Sequence, residues 1–533
     1  MKKIDRRKFI KSGAILGAAA GAGLNSQFLH AKDGIPTYKM RTTAVVIGSG
    51  FGGSVASLRL GEAGIDTILV ERGQNWSYKG PETFPTVASS YIGDPRTTWL
   101  DTVDANTGQI PVERYTGMIE RVRGDTTISQ CGAGLGGGSL VYGGVLLQPQ
   151  QDVFEQVFPY LDYYAYDSTY YPRVLDLVSG GSIPEDILSN FNYGGHKAFI
   201  AAAEAVGMTV TRSHVGFDWN TIRREIDGEL APAASIGEYV YGCNSGAKNT
   251  LDKNYIAQAV DTGNVTVMTL HNVNTIEKKG RGRNQYRVVC DVLDIHGEII
   301  KRNIIKCKYV FMAAGSINTS KILLKANALG DLPFSNSQVG KHWGGNGDEL
   351  MGRMVYDPMT IGPVQGGPPC IAAHDRANPI KPVGFMHSPA NINAGQPDYI
   401  SLQLQAAMSV PTQLGEMTWD SANDRPYANW PKAANAIDEQ AHLYSLAKLP
   451  YVENGIIPGD YLQSAIWHPL GGAVMGQACD YQGELEGLND LFVVDGALMP
   501  GSTACANPSL TIAANAERIM EELISTGRVT QHC

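Results

Sequence analysis

The sequence lacks several features that would place it in other classes of protein. Its eight cysteines are scattered, with no C-x-x-C pair and no metal-site spacing, so neither a zinc module nor a disulfide framework is predicted. No basic block follows the first eleven residues and the formal net charge is −9, which argues against a nucleic-acid partner. We also find no internal repeats. These absences favour an ordinary globular chain without a bound metal.

The composition supports that view. The chain has 533 residues, of which 43% are hydrophobic and 18% are charged, so it is neither a disordered polymer nor a coiled coil. It is long enough for two cores, or for one large core with a second layer.

The amino terminus resembles an export signal. The segment Arg6-Arg7-Lys8-Phe9-Ile10-Lys11 is typical of a twin-arginine signal, and an apolar run of small residues follows from Gly13 to Leu24. That run is too short to span a bilayer. We predict a signal at residues 1–31, cleaved near Ala31, and a periplasmic or secreted protein. An uncleaved anchor or an amphipathic arm is the alternative.

A strand–turn–helix–strand pattern follows. The apolar run 44–47 leads into a glycine turn, helical spacing continues to Gly64, and a second apolar run, 67–70, ends at Glu71. In a dinucleotide fold, such glycines allow a tight turn and close approach to a pyrophosphate at the helix N-terminus. The acid accepts hydrogen bonds from ribose and repels a 2′-phosphate. We predict a dinucleotide site, although this motif cannot distinguish NAD from FAD, and a glycine turn of another α/β protein is the alternative.

A second glycine cluster makes FAD the better choice. Residues 132–144 contain seven glycines, and ordering so many is costly unless the backbone lies against something flat or charged. A planar isoalloxazine ring meets that description. The alternative is a mobile loop, which the apolar residues around Leu140 and Leu146 disfavour.

With these motifs, the chain resembles the glucose–methanol–choline (GMC) flavoproteins, and among them it is most similar to the non-covalent bacterial cholesterol oxidases. The segments that carry the resemblance span most of the chain: Val46–Gly53, Gly136–Val141, Asn249–Tyr255, Tyr309–Ser316, Trp467–Gly472, Val493–Gly496 and Asn507-Pro508.

The resemblance implies an α/β fold with two domains interleaved in sequence. A Rossmann-like FAD-binding domain would be built from residues 40–150, 240–345 and 455–530. A sheet-based substrate-binding domain would take residues 151–239 and 346–454.

The residues expected to bind FAD come from the glycine motifs and from the positions that match the family. They are Gly48, Gly50, Phe51, Gly52, Gly53, Glu71, Gly136, Gly137, Gly138, Ser139, Val273, Ala314, Gly315, Asp495, Gly496, Asn507 and Pro508. For Asp495, a helix cap or turn is the competing interpretation.

His468 is the predicted catalytic base. Oxidation of an alcohol by flavin requires removal of the hydroxyl proton while the carbon passes a hydride to flavin N5, and a histidine suits the proton transfer near neutral pH. Pro469 keeps His468 out of the helical region, and the glycines that follow let the backbone come close to the ring. By resemblance, His468 is the family's active-site histidine. A core histidine is the alternative.

Asn507 has two compatible interpretations. Asn507-Pro508 is an ideal helix start, with asparagine as N-cap and proline at the first helical position. By resemblance, the same asparagine contacts the substrate hydroxyl and the flavin.

Two positions depart from the family. The carboxylate that would isomerise a sterol product is replaced by Pro397, and the adjacent Asp398 is the candidate base, with Glu349 and Glu416 as further candidates. We therefore expect oxidation without efficient isomerisation. Tyr142 stands where relatives carry asparagine, which would put a bulky ring near the flavin.

The expected function is oxidation of a secondary alcohol on a bulky apolar substrate, such as a 3β-hydroxysterol, with O2 as acceptor. We expect a monomer that contacts a membrane surface transiently to extract its substrate. One alternative is a periplasmic dehydrogenase that passes electrons to a quinone or cytochrome. Another is a flavin-bearing protein that binds apolar ligands without turnover.

Overall fold

The chain contains both strands and helices, and many of the strands follow one another without an α-helix between them. The computed structural model describes residues 27–30, 34–280, 282–355, 364–389, 401–450 and 465–531. The strands are β1 (Gln27–His30), β2 (Pro36–Arg41), β3 (Ala44–Ile47), β4 (Thr67–Val70), β5 (Ile119–Arg123), β6 (Ile128–Gly132), β7 (Val145–Leu146), β8 (Thr209–Arg212), β9 (His214–Val215), β10 (Val265–Met268), β11 (His271–Lys278), β12 (Tyr286–Leu293), β13 (Ile299–Cys307), β14 (Tyr309–Met312), β15 (Glu349–Val355), β16 (Ile371–Asp375), β17 (Val383–His387), β18 (Ser401–Met408), β19 (Glu416–Asp420), β20 (Arg425–Asn429), β21 (Ala465–Ile466) and β22 (Leu491–Val493).

The helices are fewer and mostly short. They are α1 (Phe51–Glu62), α2 (Val87–Ser90), α3 (Gln151–Val157), α4 (Tyr163–Ala165), α5 (Tyr171–Val178), α6 (Glu185–Leu188), α7 (Gly194–Ala205), α8 (Trp219–Ile226), α9 (Tyr255–Asp261), α10 (Gly315–Ala328), α11 (Ala436–Lys448) and α12 (Pro508–Ser525). Within the described ranges, none of them is long and apolar enough to cross a membrane.

A parallel five-stranded sheet forms the centre of the molecule. Its order is β10-β4-β3-β14-β22, and every neighbouring pair is parallel. All residues of β3, β4, β14 and β22 are buried, as expected for strands covered on both faces. The predicted strand–turn–helix–strand unit and the mixed α/β fold are thus confirmed.

The helix of that unit ends as its sequence predicts. α1 runs from Phe51 to Glu62, and Gly64 follows with φ +71°, a left-handed conformation that favours glycine. α1 packs against α9 and the long carboxyl-terminal helix α12. Together these helices cover one side of the parallel sheet.

An antiparallel five-stranded sheet lies beside the first. Its order is β15-β18-β17-β16-β8. One face carries Ala372, Met386 and Met408, which are buried against Val145 and Ala506. The other face packs against α7 through a separate core cluster.

The two sheets draw on different parts of the sequence. The parallel sheet uses strands within 40–150, 240–345 and 455–530, and the antiparallel sheet uses strands within 151–239 and 346–454. The domain boundaries themselves stay a prediction. Of the predicted signal, residues 27–30 form β1, which pairs with β2; residues 1–26 and 31 lie outside the described residues.

Four further sheets among the described residues complete the fold. β1, β2, β13, β12 and β11 form a mixed sheet, and β21, β6 and β5 form another beside the second glycine cluster. β19 pairs with β20, and β7 pairs with β9.

Candidate active site

A cavity lies at the carboxyl ends of the parallel strands, where the first glycine turn connects β3 to α1. Gly48, Gly50, Phe51 and Gly52 line it. A Cβ atom on Gly50 would have nothing within 4 Å, so this backbone faces open space. In contrast, a Cβ on Gly52 would lie 1.9 Å from the carbonyl oxygen of Val494. The turn therefore has one glycine open to a ligand and others needed for packing.

Gly48 and Gly53 belong to the packing group. Gly48 has φ +97°, and its Cβ would meet the carbonyl oxygen of Ala313 at 2.3 Å. A Cβ on Gly53 would lie 2.0 Å from the carbonyl oxygen of Gly48, and Gly53 does not line the cavity. Gly53 thus allows the close contact of helix and strand that the sequence predicts for it.

The second glycine cluster contacts the first. Gly137 and Gly138 line the cavity, and a Cβ on Gly137 would lie 2.7 Å from the Cα atom of Gly50. Gly138 has open space at the Cβ position. The two turns, 85 or more residues apart along the chain, therefore form one wall.

Gly136 and Ser139 support this wall from behind. The Ser139 hydroxyl donates to the carbonyl oxygen of Gly136 at 2.7 Å and accepts from the backbone N–H of Leu251 at 3.1 Å. The Gly136 N–H donates to the Ser49 hydroxyl oxygen at 3.0 Å. Neither Gly136 nor Ser139 lines the cavity.

Glu71 lies at the end of β4, inside the cavity. Its Oε2 accepts from the Ser49 hydroxyl at 2.5 Å, and its Oε1 accepts from the Gly73 N–H at 2.8 Å. The residue is only 5% exposed. These bonds hold an acceptor-only carboxylate where ribose hydroxyls are predicted to bind.

Asp495 follows β22 and connects two turns. Its Oδ2 accepts from the Gly315 N–H at 2.8 Å and the Thr319 hydroxyl at 2.6 Å, and its Oδ1 accepts from the Ala497 N–H at 2.8 Å. Burial raises the pKa of this carboxyl to about 6. The side chain therefore caps neighbouring backbone, while Asp495 also lines the cavity together with Val273, Ala314, Gly315 and Gly496.

His468 lies beside this cavity and is fixed by a carboxylate. Its Nδ1 is 2.8 Å from the carboxylate of Asp348, which is only 2% exposed, whereas the imidazole is 19% exposed. Its Nε2 is 3.4 Å from the Asn507 amide nitrogen. Thus one ring nitrogen is held by an acid and the other faces an amide.

The Asn507 side chain does not cap α12. The residue occupies the N-cap position, but its side chain makes no capping hydrogen bond, and its Oδ1 is buried without a partner in the described part of the chain. Asn507 and Pro508 do not line the cavity. Capping therefore does not explain this asparagine, and its contact with His468 supports the second interpretation.

Several cavity residues escaped the sequence analysis. Arg72 follows Glu71 directly and Ser49 lies inside the first motif, so both positions could have been suggested by adjacency. Trp467 precedes His468 in a segment that carries the family resemblance. The others have no local signal: Gln130, Cys131, His271, Asn272, Ile317, Asn318, Lys321, Ile322 and Ile512.

Tyr142 lies next to the cavity, as its position in the glycine cluster suggests. Its ring centroid is 5.5 Å from that of Phe51, which lines the cavity. Burial raises the pKa of its hydroxyl, which has no hydrogen-bond partner among the described residues. A bulky ring thus stands close to the predicted flavin position.

Of the three candidate isomerisation bases, the two that the structure describes, Glu349 and Glu416, bond to residues other than His468. Asp398 lies outside the described residues. Glu349 bonds to buried His442 at 2.8 Å, and Glu416 pairs with Lys341.

Two family models match this chain. A GMC oxidoreductase amino-terminal model matches residues 17–342, and the carboxyl-terminal model matches residues 411–516. The chain belongs to the GMC oxidoreductase family. It is accordingly an FAD-dependent alcohol oxidoreductase that passes electrons to an acceptor.

Among curated proteins, this GMC chain is similar to two cholesterol oxidases. It is 24% identical to that of Mycobacterium tuberculosis (strain ATCC 25618 / H37Rv), with 89% of each chain covered. It is 23% identical to that of Acinetobacter baumannii, covering 89% of this chain and 93% of the relative. It also matches a long-chain-alcohol oxidase of Arabidopsis thaliana at 22% identity over 58% of this chain and 36% of the relative.

Solved structures agree on the fold. Pyridoxine 4-oxidase from Mesorbium loti superposes with a TM-score of 0.60 at 16% identity, covering 90% of this chain and 99% of that one. A fungal aryl-alcohol oxidase gives a TM-score of 0.61 at 14% identity, covering 91% and 99%.

The residues present fit FAD. Gly50 and Gly138 face open space where a Cβ would intrude, and Glu71 offers an acceptor at the end of β4. The N-terminus of α1 directs backbone N–H groups and the positive end of its dipole toward the same region. Gly48, Gly50, Gly52, Glu71 and Gly137 would therefore hold the nucleotide part.

Proposed function

We propose that this chain oxidises a secondary alcohol on a bulky apolar substrate, a 3β-hydroxysterol such as cholesterol, to the ketone. The acceptor is O2, which leaves as H2O2. The observation that carries the proposal is the pair of His468 and Asn507, with nitrogens 3.4 Å apart beside the flavin cavity. The similarity to two cholesterol oxidases supports the sterol.

The surroundings of the pair favour an apolar substrate. Ala506 precedes Asn507 and packs against Ala372, Met386 and Met408 of the antiparallel sheet. These side chains are buried, so the layer behind Asn507 is apolar. Apolar surroundings suit a fused hydrocarbon ring system better than a sugar or a charged alcohol.

The chemistry divides between the cofactor and the chain. Bound FAD supplies the hydride acceptor. His468 Nε2 accepts the proton of the substrate hydroxyl, and the Asn507 amide donates a hydrogen bond to the hydroxyl oxygen, which orients the carbon–hydrogen bond. Pro469 lines the flavin cavity next to this pair.

Anaerobic mixing of the holoprotein with cholesterol tests this proposal. Loss of the oxidised flavin absorbance would demonstrate hydride transfer, and aerobic mixing should release peroxide in equal amount to the ketone. H468A should lose most turnover while retaining bound FAD, and H296A is the matched control, because His296 is exposed and does not line the cavity. Wild-type turnover in H468A would refute the role of His468.

The acceptor has one alternative. In a dehydrogenase, the alcohol would also bleach the flavin absorbance under anaerobic conditions. The reduced flavin would then pass its electrons to an added quinone or cytochrome faster than to O2. Absence of any bleaching by alcohols would instead indicate a protein that binds apolar ligands without turnover.

Product isomerisation is not part of the proposal. Pro397 stands where the resemblance places the isomerising carboxylate, and Glu349 and Glu416 bond to His442 and Lys341 rather than to His468. We expect the ketone to keep its 5,6 double bond. Rapid appearance of the conjugated 4-en-3-one absorbance, abolished in D398A, would contradict this expectation.

We also propose export by the twin-arginine route, on the strength of Arg6-Arg7 and the apolar run that follows. Because that route carries folded proteins, FAD would be bound before export. A variant with both arginines replaced by lysine should accumulate inside the cell. Transient contact of the mature, monomeric protein with a membrane would deliver the sterol, and sedimentation with cholesterol-containing vesicles tests that contact.

A further inference from the structure

The segment 344–348 contacts both loops that carry the reactive side chains. Gly344 and Leu470 exchange two backbone hydrogen bonds, of 2.9 and 2.8 Å, which places the segment beside His468. The Asn346 amide donates to the carbonyl oxygen of Ala506 at 2.9 Å, and its Oδ1 accepts from the Thr503 N–H at 2.8 Å. The segment therefore fixes the backbone before Asn507 as well.

The backbone of this segment is held in an uncommon conformation. Asn346 has φ +60° and Gly347 has φ +66°, two consecutive left-handed residues. A Cβ on Gly347 would lie 2.1 Å from the carbonyl oxygen of Ser409, so only glycine fits. Such conformations persist where the surroundings enforce them, and here they direct the next side chain, Asp348, into the interior.

The Asp348 carboxylate determines which nitrogen of His468 carries a proton. A carboxylate only accepts hydrogen bonds, so at 2.8 Å it requires a proton on Nδ1. The opposite tautomer would place a nitrogen lone pair against carboxylate lone pairs. In a neutral ring, Nε2 is then the free base, and the Asn507 amide lies beside it as a donor.

We propose that Asp348 is a positioning residue that fixes His468 in the tautomer whose Nε2 accepts the alcohol proton. The proposal rests on the proposed function for the identity of that proton. Asp348 touches neither substrate nor cofactor in this role; it acts through the imidazole ring.

The adjacent residue provides a matched control. Glu349 also bonds to a histidine Nδ1 at 2.8 Å, but that histidine, His442, is buried and its Nε2 lies 3.1 Å from the Ser409 hydroxyl. E349Q therefore breaks a comparable acid–histidine pair one residue away without touching His468. Any general loss of packing around β15 should appear in both variants.

The first measurement needs no substrate. Nitrogen-15 spectra of histidine-labelled holoprotein, with His468 assigned by its loss in H468Q, report which ring nitrogen is protonated. We expect a single Nδ1–H tautomer in the wild type and in E349Q. In D348N the amide can turn either its oxygen or its nitrogen toward the ring, so we expect a mixture of the two His468 tautomers. In D348L we expect the preference for the Nδ1–H tautomer to be lost.

The second measurement is the rate of anaerobic flavin reduction by cholesterol. We expect D348N to reduce flavin about 100-fold more slowly, within the range of general-base effects, with substrate affinity and bound FAD retained. E349Q should keep the wild-type rate. An unchanged tautomer in both D348N and D348L would overturn the proposal. So would an unchanged rate in D348N, provided that cholesterol reduces the wild-type flavin.

The two readouts separate this inference from the proposed function. If cholesterol fails to reduce the wild-type flavin while D348N still alters the tautomer, the sterol assignment is wrong and the positioning role stands. If cholesterol reduces the wild type and D348N behaves like it in both measurements, the positioning role is wrong and the proposed function stands.

Discussion

Replacing Gly50 by alanine tests how the first glycine turn approaches FAD. Gly50 has φ −70°, which alanine adopts without strain, and its Cβ would meet nothing within 4 Å. The apoprotein should therefore tolerate G50A and gain about 0.4–1 kcal/mol, because alanine restricts the unfolded chain. The added methyl group would instead occupy the space that the pyrophosphate needs.

We therefore expect G50A to weaken FAD binding without destabilising the apoprotein. Overpacking a fitted contact costs about 1–3 kcal/mol, which corresponds to about 5- to 150-fold weaker FAD binding. G53A provides the contrast, because its Cβ would lie 2.0 Å from the carbonyl oxygen of Gly48. We expect G53A to destabilise the apoprotein by about 3 kcal/mol or more, since backbone must move to relieve this contact.

Two assays separate these effects. Thermal unfolding of deflavinated protein measures the free energy of the fold, and quenching of FAD fluorescence on titration measures the affinity. Wild-type FAD affinity in G50A would refute our assignment of the open glycine to the pyrophosphate. Equal apoprotein stability of G53A and G50A would refute the distinction between open and packed glycines.

Three further predictions concern stability. Burial raises the pKa of Asp495 to about 6 from an ordinary value near 4, so the folded apoprotein binds this proton more tightly than the unfolded chain does. As pH rises from about 4 to 6, the unfolding free energy of the wild type should therefore fall by about 3 kcal/mol relative to that of D495N. A difference between the two that does not change with pH would contradict this. E517Q should lower the unfolding free energy measured in urea by about 3 kcal/mol or more, because buried Glu517 binds both Arg59 and Tyr255 and joins α1 to α12. A loss below about 1 kcal/mol would show that the charge of Glu517 is dispensable. Y142F should raise apoprotein stability by about 1 kcal/mol in the same assay, since it removes a buried hydroxyl that has no hydrogen-bond partner among the described residues. Destabilisation would instead show that the Tyr142 hydroxyl makes a stabilising hydrogen bond.

Much of the cofactor site could be predicted because its signals are local. The unit from β3 to Glu71 is continuous in sequence, and each part has its own pattern: an apolar run, a glycine turn, helical spacing and a terminal acid. The second cluster was recognisable by glycine density alone. His468 stood out through its Pro-Gly surroundings, and the structure places its ring beside the cavity.

Other features could not be read from any local pattern. Asp348 is 120 residues from His468 in sequence, and nothing around it distinguishes it from a surface acid. The sequence also suggested that Asn507 caps α12, yet its side chain contacts His468 instead. Only the packed loops decide which way such a short polar side chain points.

The amino-acid sequence by itself determined the flavin fold, because hydrophobic period and glycine spacing act between near neighbours in the chain. The tertiary structure decided the proton-handling geometry. There the left-handed turn at Asn346 and Gly347 brings an acid to an imidazole, and the antiparallel sheet packs a buried apolar layer against Ala506, which precedes Asn507. These contacts join residues from distant segments, and their free energy exists only once the sheets have packed.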